Sequence, residues 1–138
     1  MIVYATAFYS CLFEPNTMSG KYQMNLGQLD HEAVTNLQGV GMAIRTGEGK
    51  KEDHGEFITA KSGRPINVVD AAGNPWDEDR LIGNGSKVKV SVNPYEWTYK
   101  RKSGVSAGLN SVMVLEWKDY NPNETLEPEL KYIKDELE

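Results

Sequence analysis

Lys87-Val88-Lys89-Val90-Ser91-Val92-Asn93-Pro94-Tyr95-Glu96-Trp97-Thr98-Tyr99-Lys100-Arg101-Lys102 is the stretch that decides how this chain folds. Its first six residues alternate strictly. In a strand, successive side chains point to opposite faces, so Val88, Val90 and Val92 face a core while Lys87, Lys89 and Ser91 face out. Asn93-Pro94 predicts a bulge or sharp bend, because proline cannot donate to a sheet. A second strand follows, with Tyr95, Trp97 and Tyr99 on one face and three cations at its end.

Upstream, Val3 to Phe13 is rich in β-favouring residues and is broken by Glu14-Pro15-Asn16. Lys21 to Leu26 alternates, Tyr22, Met24 and Leu26 against Lys21, Gln23 and Asn25. Asp30 is an N-cap candidate for a helix reaching about Ile44, weakened by Gly39 and Gly41. Thr46 to Gly55 is polar and glycine-bearing and predicts a mobile loop. Glu56 to Ala60 and Ile66 to Val69 are short strands. Downstream, Lys102-Ser103-Gly104 begins a loop, Val105 to Asn110 is a small-residue connector, and Val112 to Trp117 is a final buried strand with Trp117 in the core. Many short strands with one interior helix predict a mainly β fold, a small barrel or sandwich, and a five-stranded Greek-key barrel of the OB type fits the size and the single helix.

Length and charge divide the chain. Its 138 residues suit one domain. Of the net charge of −5, residues 121–138 hold −4, from Glu124, Glu127, Glu129, Asp135, Glu136 and Glu138 against Lys131 and Lys134. Residues 1–120 are therefore expected to form the barrel domain, and 121–138 an acidic C-terminal tail or helix of the kind that contacts partners. No apolar run is long enough to span a membrane and no signal peptide is evident. A lone cysteine, Cys11, excludes an intrachain disulfide and suits a cytoplasmic setting.

Three rings beside three cations suit an unpaired nucleic acid strand, whose bases stack and whose phosphates seek positive charge. The other use of such rings is as core, and for Trp97 both remain open. The candidate stackers are Tyr95, Trp97 and Tyr99, with Tyr22 and Trp76 behind them. The candidate phosphate contacts are Lys21, Lys61, Arg64, Lys87, Lys89, Lys100, Arg101 and Lys102. Lys50 and Lys51 lie in the expected loop, and Gly83 and Gly85 either admit a nucleic acid strand closely or turn tightly.

Enzyme signatures are missing. There is no Gly-Lys-Ser/Thr phosphate loop and no Gly-x-Ser-x-Gly elbow. Asp77-Glu78-Asp79 are adjacent acids on a loop, and Cys11, His31 and His54 are too scattered for zinc. No metal or cofactor is expected. The alternative to nucleic-acid binding is a structural or adaptor β-domain, such as a virion component, using the same rings as core or protein interface.

A resemblance sharpens this. Ser19-Gly20-Lys21-Tyr22, Pro65-Ile66-Asn67-Val68-Val69-Asp70 ending at Gly73-Asn74-Pro75, Ile82-Gly83-Asn84-Gly85-Ser86-Lys87-Val88 and Gly104-Val105-Ser106-Ala107-Gly108-Leu109 occur in order, before an acidic C-terminus. In this the chain resembles the single-stranded DNA-binding proteins of tailed bacteriophages. The resemblance implies an OB-fold that binds single-stranded DNA with little sequence preference during phage replication, recombination or repair, in the host cell cytoplasm. It also implies an acidic tail that contacts replication proteins and competes with DNA. The chain departs by ending Asp135-Glu136-Leu137-Glu138, with no aromatic residue. Pro128, Leu130, Ile133, Lys134 and Leu137 are at helical spacing, which favours a docked helix. Sheet edges permit a homodimer.

Overall fold

A computed structural model describes residues 1–119. Its strands are β1 (Ile2–Cys11), β2 (Tyr22–Gly27), β3 (Arg45–Thr46), β4 (Glu56–Ser62), β5 (Asn67–Asp70), β6 (Lys87–Tyr99) and β7 (Lys102–Glu116), with one α-helix, α1 (His31–Gly39). Five of the strands close a barrel. β1 pairs antiparallel with β2 and β6, β2 with β4, and β6 with β7; a parallel β4–β7 pairing at Ala60↔Ala107 and Lys61↔Gly108 completes the ring. This is the OB-type barrel, with β3 added beside β4 and β5 beside β7.

Alternation builds the interior. Val88, Val90 and Val92 are buried, as are Met24 and Leu26 on β2 and Ile58 and Ala60 on β4. Inward residues of opposite strands fill a closed barrel without any free edge between them. Asp30 caps α1 by accepting from the Ala33 N–H at 2.8 Å, and Leu37 of the helix is fully buried against the barrel residues.

Several expectations need correction. Asn93-Pro94 does not interrupt β6, which runs on through Tyr99. The bulge is on the opposite strand: Ser91 pairs with Ser111 and Val92 with Leu109, so Asn110 is the extra residue. Pro94 is tolerated because β1 ends opposite Ser91, leaving β6 with one strand neighbour beyond it. Lys102 to Asn110 is neither loop nor connector but the first part of β7, its small residues paired with the aromatic stretch. The helix ends at Gly39, since Gly41 adopts φ 92° and the chain turns out to a Met42↔Val105 bridge. Thr46 to Gly55 contains a 3₁₀ helix, Gly49–His54, that buries His54.

Trp117 is not core. It is 38% exposed, lies edge-on to Trp76 at 5.9 Å between centroids, and donates its Nε1–H to the Leu81 carbonyl at 3.0 Å. β7 ends at Glu116, so the inward alternation of Val112 and Val114 no longer reaches it. Gly83 and Gly85 serve the fold: the Gly83 N–H bonds the Lys118 carbonyl at 2.7 Å and Gly85 adopts φ 95° in the turn before β6. The acidic segment 121–138 lies outside the described residues, and with it the expected tail or helix. Among the described residues no helix is long and apolar enough to cross a membrane.

Candidate nucleic-acid interface

Beyond Ser91 the β6–β7 pair leaves β1 behind and, past the β4 pairing at Ala107 and the Met42 bridge at Val105, runs on as a two-stranded arm that ends in the turn Lys100-Arg101. On its outer face Trp97 stands opposite Gly104 and Tyr95 opposite Ser106. The Trp97 ring lies over glycine: a Cβ on Gly104 would come within 2.8 Å of it, whereas one on Gly108 would make ordinary contact with Tyr95 at 3.6 Å. Glycine here clears a bed on which an aromatic ring lies flat. Tyr95 is 43% exposed, Trp97 38% and Tyr99 68%. One side of the Trp97 ring meets backbone, and the ring is not buried in the core.

The arm's tip carries charge at a conformational cost. Lys100 adopts φ 56°, a left-handed conformation that hairpin turns normally give to Gly or Asn. Its Nζ lies 5.4 Å from the centre of the Tyr99 ring. At the arm's base, Lys61 of β4 is level with Gly108, the glycine beside Tyr95. The structure thus brings Tyr95, Trp97, Tyr99, Lys100, Arg101, Lys102 and Lys61 together along one continuous outer surface.

Other predicted residues fall elsewhere. Lys87 and Lys89 share the outer face of β6, but Lys89 precedes Tyr95 by six residues, about 20 Å along a strand. The Lys87 Nζ donates to Thr6 Oγ1 at 2.8 Å, and the Lys89 Nζ lies 5.7 Å over the Tyr4 ring. Lys21 and Arg64 are exposed just past Lys61, at the end of the β2–β4 ribbon where Tyr22 pairs with Ser62. Tyr22 and Trp76 turn from the arm to the barrel's end, lining a pocket of about 200 Å³ with Phe13 and Ile66.

The sequence reading missed a cluster on the outer face of β2 and β4. The His54 ring stacks on Phe8 at 4.1 Å and meets Phe57 edge-on at 5.0 Å. Arg45 lies 4.7 Å over the Phe57 ring and donates to Thr59 Oγ1 at 2.6 Å. Thr59 in turn donates to Asn25 Oδ1 at 2.7 Å, and Asn25 Nδ2 lies 3.2 Å from His54 Nε2. No local signal marks these residues, which come from five separate segments. Burial holds the His54 imidazole below its ordinary value of 6.5; Lys51 and Arg45 push the same way, while Asp53 opposes them.

The pH consequence follows from that direction. Above about pH 6.5 folded and unfolded chains are both deprotonated, so the ring adds no pH dependence there. Below it the unfolded chain takes up a proton that the folded chain resists, so stability falls as pH falls. Denaturation midpoints from pH 7.5 to 5.5 are expected to drop more steeply for the wild type than for His54→Gln. Parallel curves would show that His54 makes no such contribution.

The fold belongs to a recognisable class, an OB-type barrel bearing an exposed aromatic arm. No protein-family model matches the chain, and no curated protein matches it. Among solved structures, it is similar to the single-stranded DNA-binding protein of bacteriophage Enc34 in a C-terminally truncated form, with TM-score 0.68 and 15% identity over 86% of each chain. The same Enc34 protein in complex with single-stranded DNA gives TM-score 0.65 and 15% identity over 86% of this chain and 88% of that one. The single-stranded DNA-binding protein gp2.5 of bacteriophage T7 gives TM-score 0.61 and 18% identity over 94% of this chain and 97% of the other.

Proposed function

We propose that this chain binds single-stranded DNA with little sequence preference and acts by passive binding. The observation that carries this reading is the arm: three exposed rings on one face, Trp97 bedded on Gly104, with cations at its tip and Lys61 at its base. Tyr95, Trp97 and Tyr99 stack bases, a contact worth about 1–3 kcal/mol each and indifferent to base identity. Lys61, Lys100, Arg101 and Lys102 neutralise phosphates, with Lys21 and Arg64 beyond the β2–β4 ribbon and Lys87 and Lys89 further along β6. The likeness in fold to phage proteins that bind single-stranded DNA supports it. The proposed setting is phage DNA replication, recombination or repair in the host cytoplasm, with residues 121–138 contacting replication proteins and competing with DNA.

Tryptophan fluorescence during titration with a thymidine oligomer tests this, at low and high salt and with duplex as control. Quenching by the single strand, weakened by salt and absent with duplex, is expected. A chain ending at Tyr120 is expected to bind more tightly. No quenching and no mobility shift would transfer the assignment to a structural or adaptor domain; unchanged affinity on truncation would remove the tail from the proposal.

A further inference from the structure

We infer that Arg45 is a phosphate contact on the DNA track and that buried His54 is a positioning residue, holding Arg45 through Asn25 and Thr59. The inference rests on the single-strand-binding reading above and deepens it.

Donor accounting fixes the relay. Arginine only donates, so a Thr59 hydroxyl that accepts from Arg45 at 2.6 Å sends its own proton onward to Asn25 Oδ1 at 2.7 Å. That orientation turns the Asn25 NH₂ toward His54 Nε2 at 3.2 Å. Nε2 must then accept, and the imidazole proton sits on Nδ1. His54 is 1% exposed, and among the described residues its Nδ1 has no partner. A buried donor without an acceptor is costly and uncommon. Burying one at the root of a directed hydrogen-bond chain has a purpose if the chain's outer end does something.

The outer end is a guanidinium on the surface. Phe57 supports one side of it, and among the contacts of the described residues only one of its five N–H groups is used. A planar fork fixed in this way suits bidentate phosphate recognition better than a lysine does. Its position is also right. Thr59, to which Arg45 is tied, shares the outer face of β4 with Lys61, one step away in the alternation, and Lys61 is level with the glycine beside Tyr95. The outer face thus leads from Arg45 through Thr59 to Lys61, which is level with the base of the aromatic arm. The outer-face pairs between β2 and β4 along it, Gln23↔Lys61 and Asn25↔Thr59, include no carboxylate.

Removing charge from a phosphate contact changes the salt dependence of binding, whereas a change in folding alone does not. Each phosphate neutralised on a single strand contributes about 0.7 to the log–log salt slope. Arg45→Ala should therefore lower the slope by about 0.7, so that between 50 and 200 mM salt its affinity falls about 2.6-fold less than that of the wild type. His54→Leu and Thr59→Val should lose part or all of the same increment. His54→Gln, whose side-chain oxygen can accept from Asn25, should recover it, and Arg45→Ala with His54→Leu should lose no more than Arg45→Ala alone. If His54→Leu does not fold, Thr59→Val decides. Salt-dependent wild-type binding with an unchanged Arg45→Ala slope overturns this inference alone. A lowered Arg45→Ala slope beside wild-type slopes for His54→Leu and Thr59→Val overturns the positioning role. A wild type that binds no single strand overturns the parent reading, and this one with it.

Discussion

Replacing Tyr95, Trp97 and Tyr99 together by serine is expected to lower single-stranded DNA affinity more than a hundredfold while leaving the barrel intact. At the low end of about 1 kcal/mol per stacked base, three rings amount to about 3 kcal/mol, and each 1.4 kcal/mol is a factor of ten. The rings lie on an arm outside the barrel interior, with 38–68% of their surface exposed, so their loss creates no core cavity. Far-UV spectra and the denaturation midpoint should stay close to wild type. The salt slope should also hold, because Lys61, Lys100, Arg101 and Lys102 remain. A triple variant that binds within threefold of wild type would remove stacking from the mechanism and leave binding purely electrostatic. Trp97→Ala alone would then show whether quenching came from Trp97 or from the other two tryptophans, Trp76 and Trp117.

Leu26→Ala carries the largest expected effect on the fold. Leu26 is fully buried and paired with Ala7 on one side and Ile58 on the other, at the centre of the β1–β2–β4 segment of the barrel. Truncating a buried leucine typically costs about 2–5 kcal/mol, from lost burial and the cavity left behind. Domains of this kind have total stabilities of about 5–15 kcal/mol, so one substitution removes a large share. Urea denaturation should show a lower midpoint at constant slope, and the folded fraction should still bind DNA. A cost under 1 kcal/mol would mean that the barrel collapses around the missing side chain.

The opposite pairing of these effects, binding lost in one variant and stability in the other, reflects how the chain divides its labour. Residues facing into the barrel are small or branched and close-packed, Val88, Val90 and Val92 among them. Residues facing out along the same β6 strand are Lys89, Ser91, Asn93, Tyr95, Trp97 and Tyr99, so a single strand supplies both core and candidate interface. The period of two that makes a strand amphipathic makes this possible without further machinery.

What the sequence determined by itself is what alternation and local chemistry can carry. The inward valines of β6, the Asp30 cap, the single helix and the aromatic face with its cations were all legible in order, because each depends on neighbours within a few positions. The β class followed from counting such segments, which left barrel and sandwich both open; closure was decided by the parallel β4–β7 pairing. Only the tertiary structure decided that Pro94 lies within a strand, since that turns on β1 ending opposite Ser91. Only it showed that Val105 to Asn110 pairs as a strand, because small residues lack a strong local preference and take their conformation from the aromatic partner strand. Trp117 was misplaced for a related reason: apolar neighbours predicted burial, but the strand stops one residue short. The Arg45–Thr59–Asn25–His54 relay was invisible, for it joins β3, β4, β2 and the 3₁₀ helix, and no pattern within any one segment encodes contact with the other three.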